Sequence, residues 1–174
     1  AEVILLSGAQ SQQVNEGDFV GLAAATCSAV SADSWLVGGS TAVGRTTLLT
    51  LSNPTEVPAT VDLELFGENG AITAPGTSGI VVPASGQRVL SLAGFAPDVV
   101  SPVVHVTSTG GQVTAELQQS TVRGLEPGGL DIVGATVAPA TDVVIPGLRV
   151  DDLASVQTLL VGGASFADLQ TVLR

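Results

Sequence analysis

Lysine, methionine and tyrosine are absent from this chain of 174 residues, and cysteine, histidine and tryptophan occur once each. Five basic residues, all arginine, stand against 16 aspartates and glutamates, so the net charge is −11. Proteins that bind nucleic acid neutralise phosphates with clustered Lys and Arg side chains. The composition therefore predicts no nucleic-acid partner.

The sequence also lacks long apolar runs and sustained helical periodicity. The longest candidate run, Val3–Leu6, is only four residues long, whereas a membrane-spanning helix needs about 20 apolar residues. No stretch repeats apolar side chains at helical spacing over three turns. We therefore expect neither a membrane span nor a helical domain, and allow only two short helical turns, near residues 21–25 and 151–155.

Short runs of alternating apolar and polar residues are the dominant pattern. Along residues 59–66, the side chains of Val61, Leu63 and Leu65 share one face, and polar residues occupy the other. Residues 112–119 alternate in the same way, and Gly, Pro, Asn and Ser turns separate the runs. Six or seven such runs at a spacing of roughly 8 to 12 residues predict an all-β fold. The expected fold is an antiparallel β-sandwich like those of immunoglobulin and fibronectin domains.

An internal repeat suggests how the chain is divided. Residues 34–41 match residues 158–165, and Thr and Leu match again further on at the same offset. The sequence therefore predicts an N-terminal strand and linker (1–26), a β-sandwich domain (27–150) and the truncated start of a second similar domain (151–174). Isolated strands leave apolar side chains uncovered. We expect the C-terminal strands to pair with residues 2–6, or with a second copy to form a homodimer.

Few residues could carry catalysis or bind a metal. His105 is the sole base that titrates near neutral pH, and its neighbours Val104 and Val106 should point inward, which places the imidazole on the solvated face. One cysteine and one histidine cannot form a structural zinc site. Asp151 and Asp152 are interpreted as solvated acids rather than as calcium ligands. We therefore expect no enzyme activity, no metal and no cofactor.

The candidate site is a loop that combines charge with glycine. Arg123, Glu126 and Asp131 lie in a Gly-rich segment after a long strand, and loops often carry function. This segment is interpreted either as a partner-binding loop or as a long crossover fixed by an ion pair from Arg123 to Glu126 or Asp131. Trp35 is expected to anchor the core between the sheets. Cys27 is expected to be a small buried residue rather than half of a disulfide.

Four segments resemble a known family: residues 23–27 (AAATC), 35–45 (WLVGGSTAVGR), 51–54 (LSNP) and 118–129 (QQSTVRGLEPGG). They are similar to uncharacterised extracytoplasmic proteins of high-GC Gram-positive bacteria, which are catalogued only as a domain of unknown function. The resemblance covers about residues 20 to 174. It implies an extracytoplasmic location, secreted or membrane-anchored, and it implies no activity.

Three functions are weighed on this basis. The first is an extracytoplasmic structural or protein-interaction module of the cell envelope, without catalysis. The second is a cell-wall glycan-binding module, which an exposed aromatic strip would favour. The third and least favoured is a hydrolase, which would need a cleft joining His105 to a carboxylate and a hydroxyl. The expected partner is an envelope protein or a cell-wall glycan, and the sequence does not identify it.

Overall fold

The computed structural model describes residues 7–17, 19–142 and 144. These residues form eleven strands and one 3-10 turn and contain no α-helix, so none of them lies in a helix that could cross a membrane. The elements are β1 (Ala9–Glu16), β2 (Phe19–Thr26), β3 (Asp33–Val37), β4 (Arg45–Asn53), β5 (Ala59–Gly67), β6 (Gly70–Ile72), β7 (Ile80–Val82), β8 (Gly86–Ser91), the 3-10 turn (Leu92–Gly94), β9 (Val103–Gly110), β10 (Thr114–Arg123) and β11 (Glu126–Gly134).

Two antiparallel sheets pack face to face. The first sheet has the order β11-β10-β4-β8, and the second has the order β3-β9-β5-β6. Strand β7 pairs with the same edge of β5 as β6 does, at the other end of the strand. The sequence prediction of an all-β antiparallel sandwich is confirmed.

The core between the sheets follows from the alternation in the sequence. On β5, Val61, Leu63 and Leu65 are at most 4 % exposed, and the side chains between them face solvent. On β10, Ala115 and Leu117 point into the same core. Removing this apolar surface from water stabilises the fold by about 25 cal/mol per Å². The core therefore fixes which face of each strand points outward.

The strand order departs from the immunoglobulin order at two strands. In an immunoglobulin domain the first strand pairs with the second, and the last pairs with the sixth. Here β4 pairs with β8 and β5 with β9, as the central immunoglobulin strands do. However, β3 precedes β4 and pairs with β9, whereas β10 follows β9 and pairs with β4. The two flanking strands have exchanged sheets.

The N-terminal segment forms a hairpin of β1 and β2 that lies on the outer face of the first sheet. A Cβ atom built at Gly21 of β2 would come within 3.2 Å of the Leu130 amide nitrogen on β11. Gln10 Nε2 donates a hydrogen bond to Glu116 Oε2 on β10 at 2.7 Å. Glu116 faces outward because Ala115 and Leu117 beside it are buried. The hairpin therefore covers β10 and β11 on the side away from the core.

This hairpin corrects one sequence-based expectation. The helical turn expected near residues 21–25 is wrong, because β2 runs through these residues. Gly21, Ala23 and Ala25 alternate toward the first sheet, and Ala23 is 2 % exposed. Both strands of the hairpin, β1 and β2, fall within the segment predicted as N-terminal strand and linker (1–26). Three other expectations lie outside the described residues: the N-terminal pairing partner (2–6), the second helical turn with Asp151 and Asp152, and the start of a second repeat (151–174).

A buried asparagine organises the turn between β4 and β5. Asn53 is 1 % exposed. Its Oδ1 accepts hydrogen bonds from the Thr55 amide at 3.0 Å and the Thr55 hydroxyl at 2.7 Å. Its Nδ2 donates to the carbonyl oxygens of Val57 at 2.8 Å and Val82 at 3.4 Å. The side-chain amide of Asn53 therefore holds this turn and also ties β4 to β7.

The Gly-Gly-Ser-Thr segment after β3 makes a tight, internally bonded loop. Thr47 is 1 % exposed; its hydroxyl donates to the Ser40 carbonyl oxygen at 2.7 Å and accepts from the Ser40 amide at 2.9 Å. Gly39 has φ of +81°, and a Cβ atom there would lie 2.6 Å from the Thr47 side chain. Only glycine fits at this position.

Candidate functional site

The predicted partner-binding loop is a tight hairpin turn. Arg123 and Glu126 are direct partners across the β10–β11 pair, and Gly124 and Leu125 form the turn between them. Asp131 lies further along β11, so the structure brings Arg123 and Glu126 together but not Asp131. Among the described residues, neither acid lies within ion-pair distance of Arg123. The alternative of a long crossover is wrong, because β10 and β11 are neighbours in one sheet.

Trp35 and Cys27 are not where the sequence placed them. On β3, Ser34 and Leu36 point into the sandwich, with 7 % and 0 % exposure. Trp35 between them therefore lies on the outer face of the second sheet, where it is half-buried. The expectation of a core tryptophan is wrong. Cys27 is exposed, so the expectation of a buried cysteine is wrong as well.

The outer face of the second sheet brings several chemically active side chains into register. Strand β9 lies between β3 and β5, and its outward residues have direct partners on both sides. Three rows result: Trp35, His105 and Glu64; Asp33, Thr107 and Asp62; Val37, Val103 and Phe66. The chain's sole tryptophan and sole histidine are therefore neighbours on one face.

His105 lies at the centre of this cluster. Its Nδ1 is 2.8 Å from Glu64 Oε2, and its Nε2 is 3.1 Å from Asp33 Oδ2. The Trp35 ring stacks on the imidazole with centroids 4.0 Å apart and an angle of 10° between planes. Phe66 stacks on Trp35 at 6.0 Å. The histidine thus connects the three strands β3, β9 and β5.

The two carboxylates determine the protonation state of His105. A neutral imidazole has one N–H donor, whereas two carboxylate acceptors require two donors. Burial, which leaves the side chain 14 % exposed, acts to lower the pKa of His105. The hydrogen bonds to Glu64 and Asp33 and the charges of these groups outweigh burial, so the pKa is raised above its ordinary value. The contacts therefore favour the imidazolium.

Both ring nitrogens of His105 are engaged in this geometry. A general base needs a ring nitrogen that faces the group to be deprotonated. Both nitrogens of His105 face carboxylates, and in the described part of the chain no hydroxyl or thiol is hydrogen-bonded to either. Glu64 and Asp33 are 68 % and 61 % exposed, and the second oxygen of each accepts no hydrogen bond from the described residues. The cluster presents rings and acceptor oxygens to solvent.

Metal binding finds no comparable support. Over residues 7–17, 19–142 and 144, no group of three His, Cys, Asp or Glu side chains has a spacing that could hold a metal ion. The acids beside His105 already accept its N–H groups.

A shallow cavity of about 250 Å³ lies at one end of the sandwich, between the β5–β6 turn and residues 96–99. The carboxylate of Glu68 at its rim accepts hydrogen bonds from the amides of Val100 at 2.8 Å and Ser101 at 2.6 Å. Its own backbone amide and these two amides lower the pKa of Glu68, against a smaller opposing effect of burial. This acid is thus occupied in holding the loop.

Sequence reasoning found part of this cluster. It placed His105 opposite Val104 and Val106, which are 0 % and 1 % exposed, and this is confirmed. The expectation that the imidazole is solvated is wrong, because Trp35 and two carboxylates enclose it. The alternation on β5 also placed Glu64 on the outward face, and this alternation was the only feature of the sequence that indicated its position. The missing information was the register between strands.

Comparison with protein families gives a match to a family described as a family of unknown function (DUF5719), over residues 3–173. No curated protein and no solved structure matches the chain.

Proposed function

The chain belongs to the DUF5719 family, whose function is unknown, and we propose that it is a non-catalytic, extracytoplasmic protein-interaction module of the cell envelope. We define its recognition face as the outer face of the second sheet, formed by Asp33, Trp35, Val37, Thr60, Asp62, Glu64, Phe66 and His105. The cluster of Trp35, His105 and two carboxylates on this face is the observation that carries the proposal. The outward, half-buried position of Trp35 supports it.

On the outer face, the rings of Trp35 and Phe66 leave apolar surface exposed to water that would be buried if they lay in the core. An aromatic ring in a core is removed fully from water, whereas Trp35 and Phe66 remain half-buried on a solvent-facing sheet. Tryptophan, phenylalanine and arginine are enriched at the centres of protein interfaces. A ring pair held by packing against His105 is also fixed in position before a partner arrives, which reduces the entropy lost on binding.

The absence of catalysis is supported by the state of His105. Its raised pKa and its two carboxylate partners favour a charged imidazolium that has no lone pair to accept a proton. A hydrolase that uses a histidine as its general base would instead need one ring nitrogen to face a nucleophile. His105 therefore serves as a connector of three strands and as a support for the Trp35 ring.

The envelope location rests on the resemblance of residues 23–27, 35–45, 51–54 and 118–129 to extracytoplasmic proteins. Its test is fractionation of producing cells, with detection of the protein by antibody. Recovery of the protein in the cytosolic fraction would contradict this location.

Site-specific crosslinking tests the recognition face. Val37 on this face is 40 % exposed, and Val89 on the outer face of the first sheet is 50 % exposed. A photoreactive amino acid at Val37 should capture one recurrent envelope protein in producing cells, and the same amino acid at Val89 should not. Adding Trp35→Ala to the Val37 variant should abolish the adduct. Equal adducts from both positions, or none from Val37, would contradict the proposal.

Glycan binding is the second candidate, and the stacked pair of Trp35 and Phe66 favours it. Apolar faces of sugar rings pack on flat aromatic rings, which present a broad apolar surface. Retention of the purified protein on cell-wall glycan stripped of protein, lost on Trp35→Ala, would select this function. Retention by envelope proteins alone would select the first.

A further inference from the structure

The recognition face is rich in hydrogen-bond acceptors and poor in donors. Asp33, Asp62 and Glu64 all present carboxylates, and both N–H groups of His105 are directed at two of them. The arginines that the structure describes, Arg45, Arg88 and Arg123, all belong to strands of the first sheet. Arg88 Nε donates to the Val81 carbonyl oxygen on β7, at the edge of the second sheet, at 3.1 Å. However, no Lys or Arg side chain of the described residues lies within ion-pair distance of Asp33, Asp62 or Glu64.

The charges of this face do not cancel. Three carboxylates and one imidazolium leave two net negative charges. Asp62 Oδ1 accepts from the Gly79 amide at 2.8 Å, and its second oxygen accepts no hydrogen bond from the described residues. The second oxygens of Asp33 and Glu64 accept no hydrogen bond from the described residues. Three carboxylates thus lie on the same face as the aromatic pair, in the row of Trp35 and the row beside it.

We propose that the recognition face binds a basic segment of the partner protein, with an arginine guanidinium packed on the Trp35 or Phe66 ring and donating to Glu64 or Asp33. This inference rests on the proposed function and names the chemistry of its partner. A guanidinium is planar, permanently charged and donates five N–H groups, so it can stack on a ring and pair with a carboxylate at once. It thereby supplies the donors and the positive charge that the face lacks.

Charge complementarity favours this occupant over a neutral sugar. Sugar hydroxyls accept as well as donate, and the side-chain donors available to them here are few: the Trp35 indole N–H, the Thr60 hydroxyl and, in the row beside Trp35, the Thr107 hydroxyl. A neutral sugar also gains nothing from the net negative charge. A lysine ammonium would pair with the carboxylates but stacks less well on a ring, because its charge is compact and strongly hydrated.

The protein carries its own reporter for this site. Trp35 is the sole tryptophan and tyrosine is absent, so intrinsic emission comes from the recognition face. The probe is a capped pentapeptide of alternating glycine and arginine. Matched pentapeptides carry lysine or glutamate in place of arginine, and a tetramer of N-acetylglucosamine represents glycans.

The arginine peptide should shift Trp35 emission saturably, with a Kd at least about threefold lower than that of the lysine peptide. The glutamate peptide and the sugar should give no shift. The Kd should rise when salt is increased from about 50 to about 500 mM, because exposed charge pairs are screened.

A charge-matched pair of variants tests the location. Asp33→Asn with Glu64→Gln should raise the Kd for the arginine peptide at least about tenfold, which corresponds to about 1.4 kcal/mol. Glu126→Gln with Asp131→Asn removes the same charge from β11 and should change the Kd less than about twofold. If the first double variant does not fold by circular dichroism, Glu64→Gln alone gives the comparison.

Each remaining outcome decides against the inference in a distinguishable way. Equal weakening by both double variants would show general attraction between charges and overturn the proposed site. A shift with the sugar and not with the peptides would replace a protein partner by a glycan, and the proposed function would fail as well. No shift with any probe, together with a protein captured from Val37, would leave the proposed function standing and overturn the basic segment.

Discussion

Replacing Asn53 with alanine should destabilise the sandwich by about 2–4 kcal/mol, because it removes four hydrogen bonds at a buried position. The groups left behind are the Thr55 amide and the carbonyl oxygens of Val57 and Val82, although the Val57 oxygen still accepts from the Thr55 hydroxyl at 3.0 Å. A buried polar group without a partner costs about 1–3 kcal/mol. Thr55 and Val57 are partly exposed, so water recovers part of their cost, and Val82, which is 0 % exposed, keeps most of its own.

A second variant separates the two halves of the amide. Asn53→Asp keeps the oxygen that accepts from Thr55 but replaces the Nδ2 donor by a second oxygen facing the carbonyls of Val57 and Val82. At neutral pH this variant should be at least as unstable as Asn53→Ala, because a buried charge then lacks partners. Its stability should recover as the pH falls, since a protonated carboxyl can donate one hydrogen bond.

Urea denaturation followed by circular dichroism and by Trp35 emission measures both effects. Total stabilities of domains are about 5–15 kcal/mol, so the expected change shifts the midpoint clearly. An m-value equal to that of the unmodified protein would show that the same surface is exposed on unfolding. A loss below about 1 kcal/mol for Asn53→Ala, or an Asn53→Asp variant of full stability at neutral pH, would refute the role assigned to the buried amide.

Three further predictions follow from single positions. The pKa of His105 is raised in the folded protein, so the stability that its charged form contributes should be complete below the unfolded pKa and lost as the pH rises through the folded pKa. The denaturation midpoints of the unmodified protein and of His105→Gln should therefore converge as the pH rises. A difference between the two midpoints that stays constant with pH would contradict the ion pairs. Gly39→Ala should lower the thermal midpoint strongly, because the added methyl group would clash with the Thr47 side chain. Gly17→Ala is the control: φ is also positive there but nothing lies within 4 Å, so this variant should lower the midpoint less. Equal effects of the two variants would contradict the close approach of Gly39 to Thr47. Cys27 should react with a thiol reagent in the folded protein as fast as in urea, and protection would contradict its exposure.

Local patterns in the sequence were sufficient to predict most strands. Strand β5 alternates because one face is buried, and the same period-two pattern identified β10. The turn at Asn53 was readable because its chemistry is contained within a few residues. Strand β2 escaped detection because its buried side is made of Gly21, Ala23 and Ala25, which carry little hydrophobic contrast.

The candidate site could be predicted only in fragments. Alternation placed His105 and Glu64 on outward faces, but nothing local indicates that these two residues are direct partners. Trp35 was assigned to the core because large aromatic rings are usually buried. Its true position depends on Leu36, whose inward orientation sets the phase of β3. Such register information comes from contacts between distant segments.

The exchange of β3 and β10 between the sheets also has a consequence for how the chain folds. Leu49 pairs with Leu90 and Leu117, and Trp35 pairs with His105, so central pairings join residues about 40 to 70 positions apart. Folds dominated by such distant pairings acquire structure slowly, on a scale of about milliseconds to seconds. The second sheet cannot be completed before β9 has been synthesised, and the first sheet cannot be completed before β10 and β11 have been synthesised. The growing chain should therefore stay unfolded until these late strands have been made. For most of its synthesis, an unfolded chain of this kind can still pass through a narrow channel.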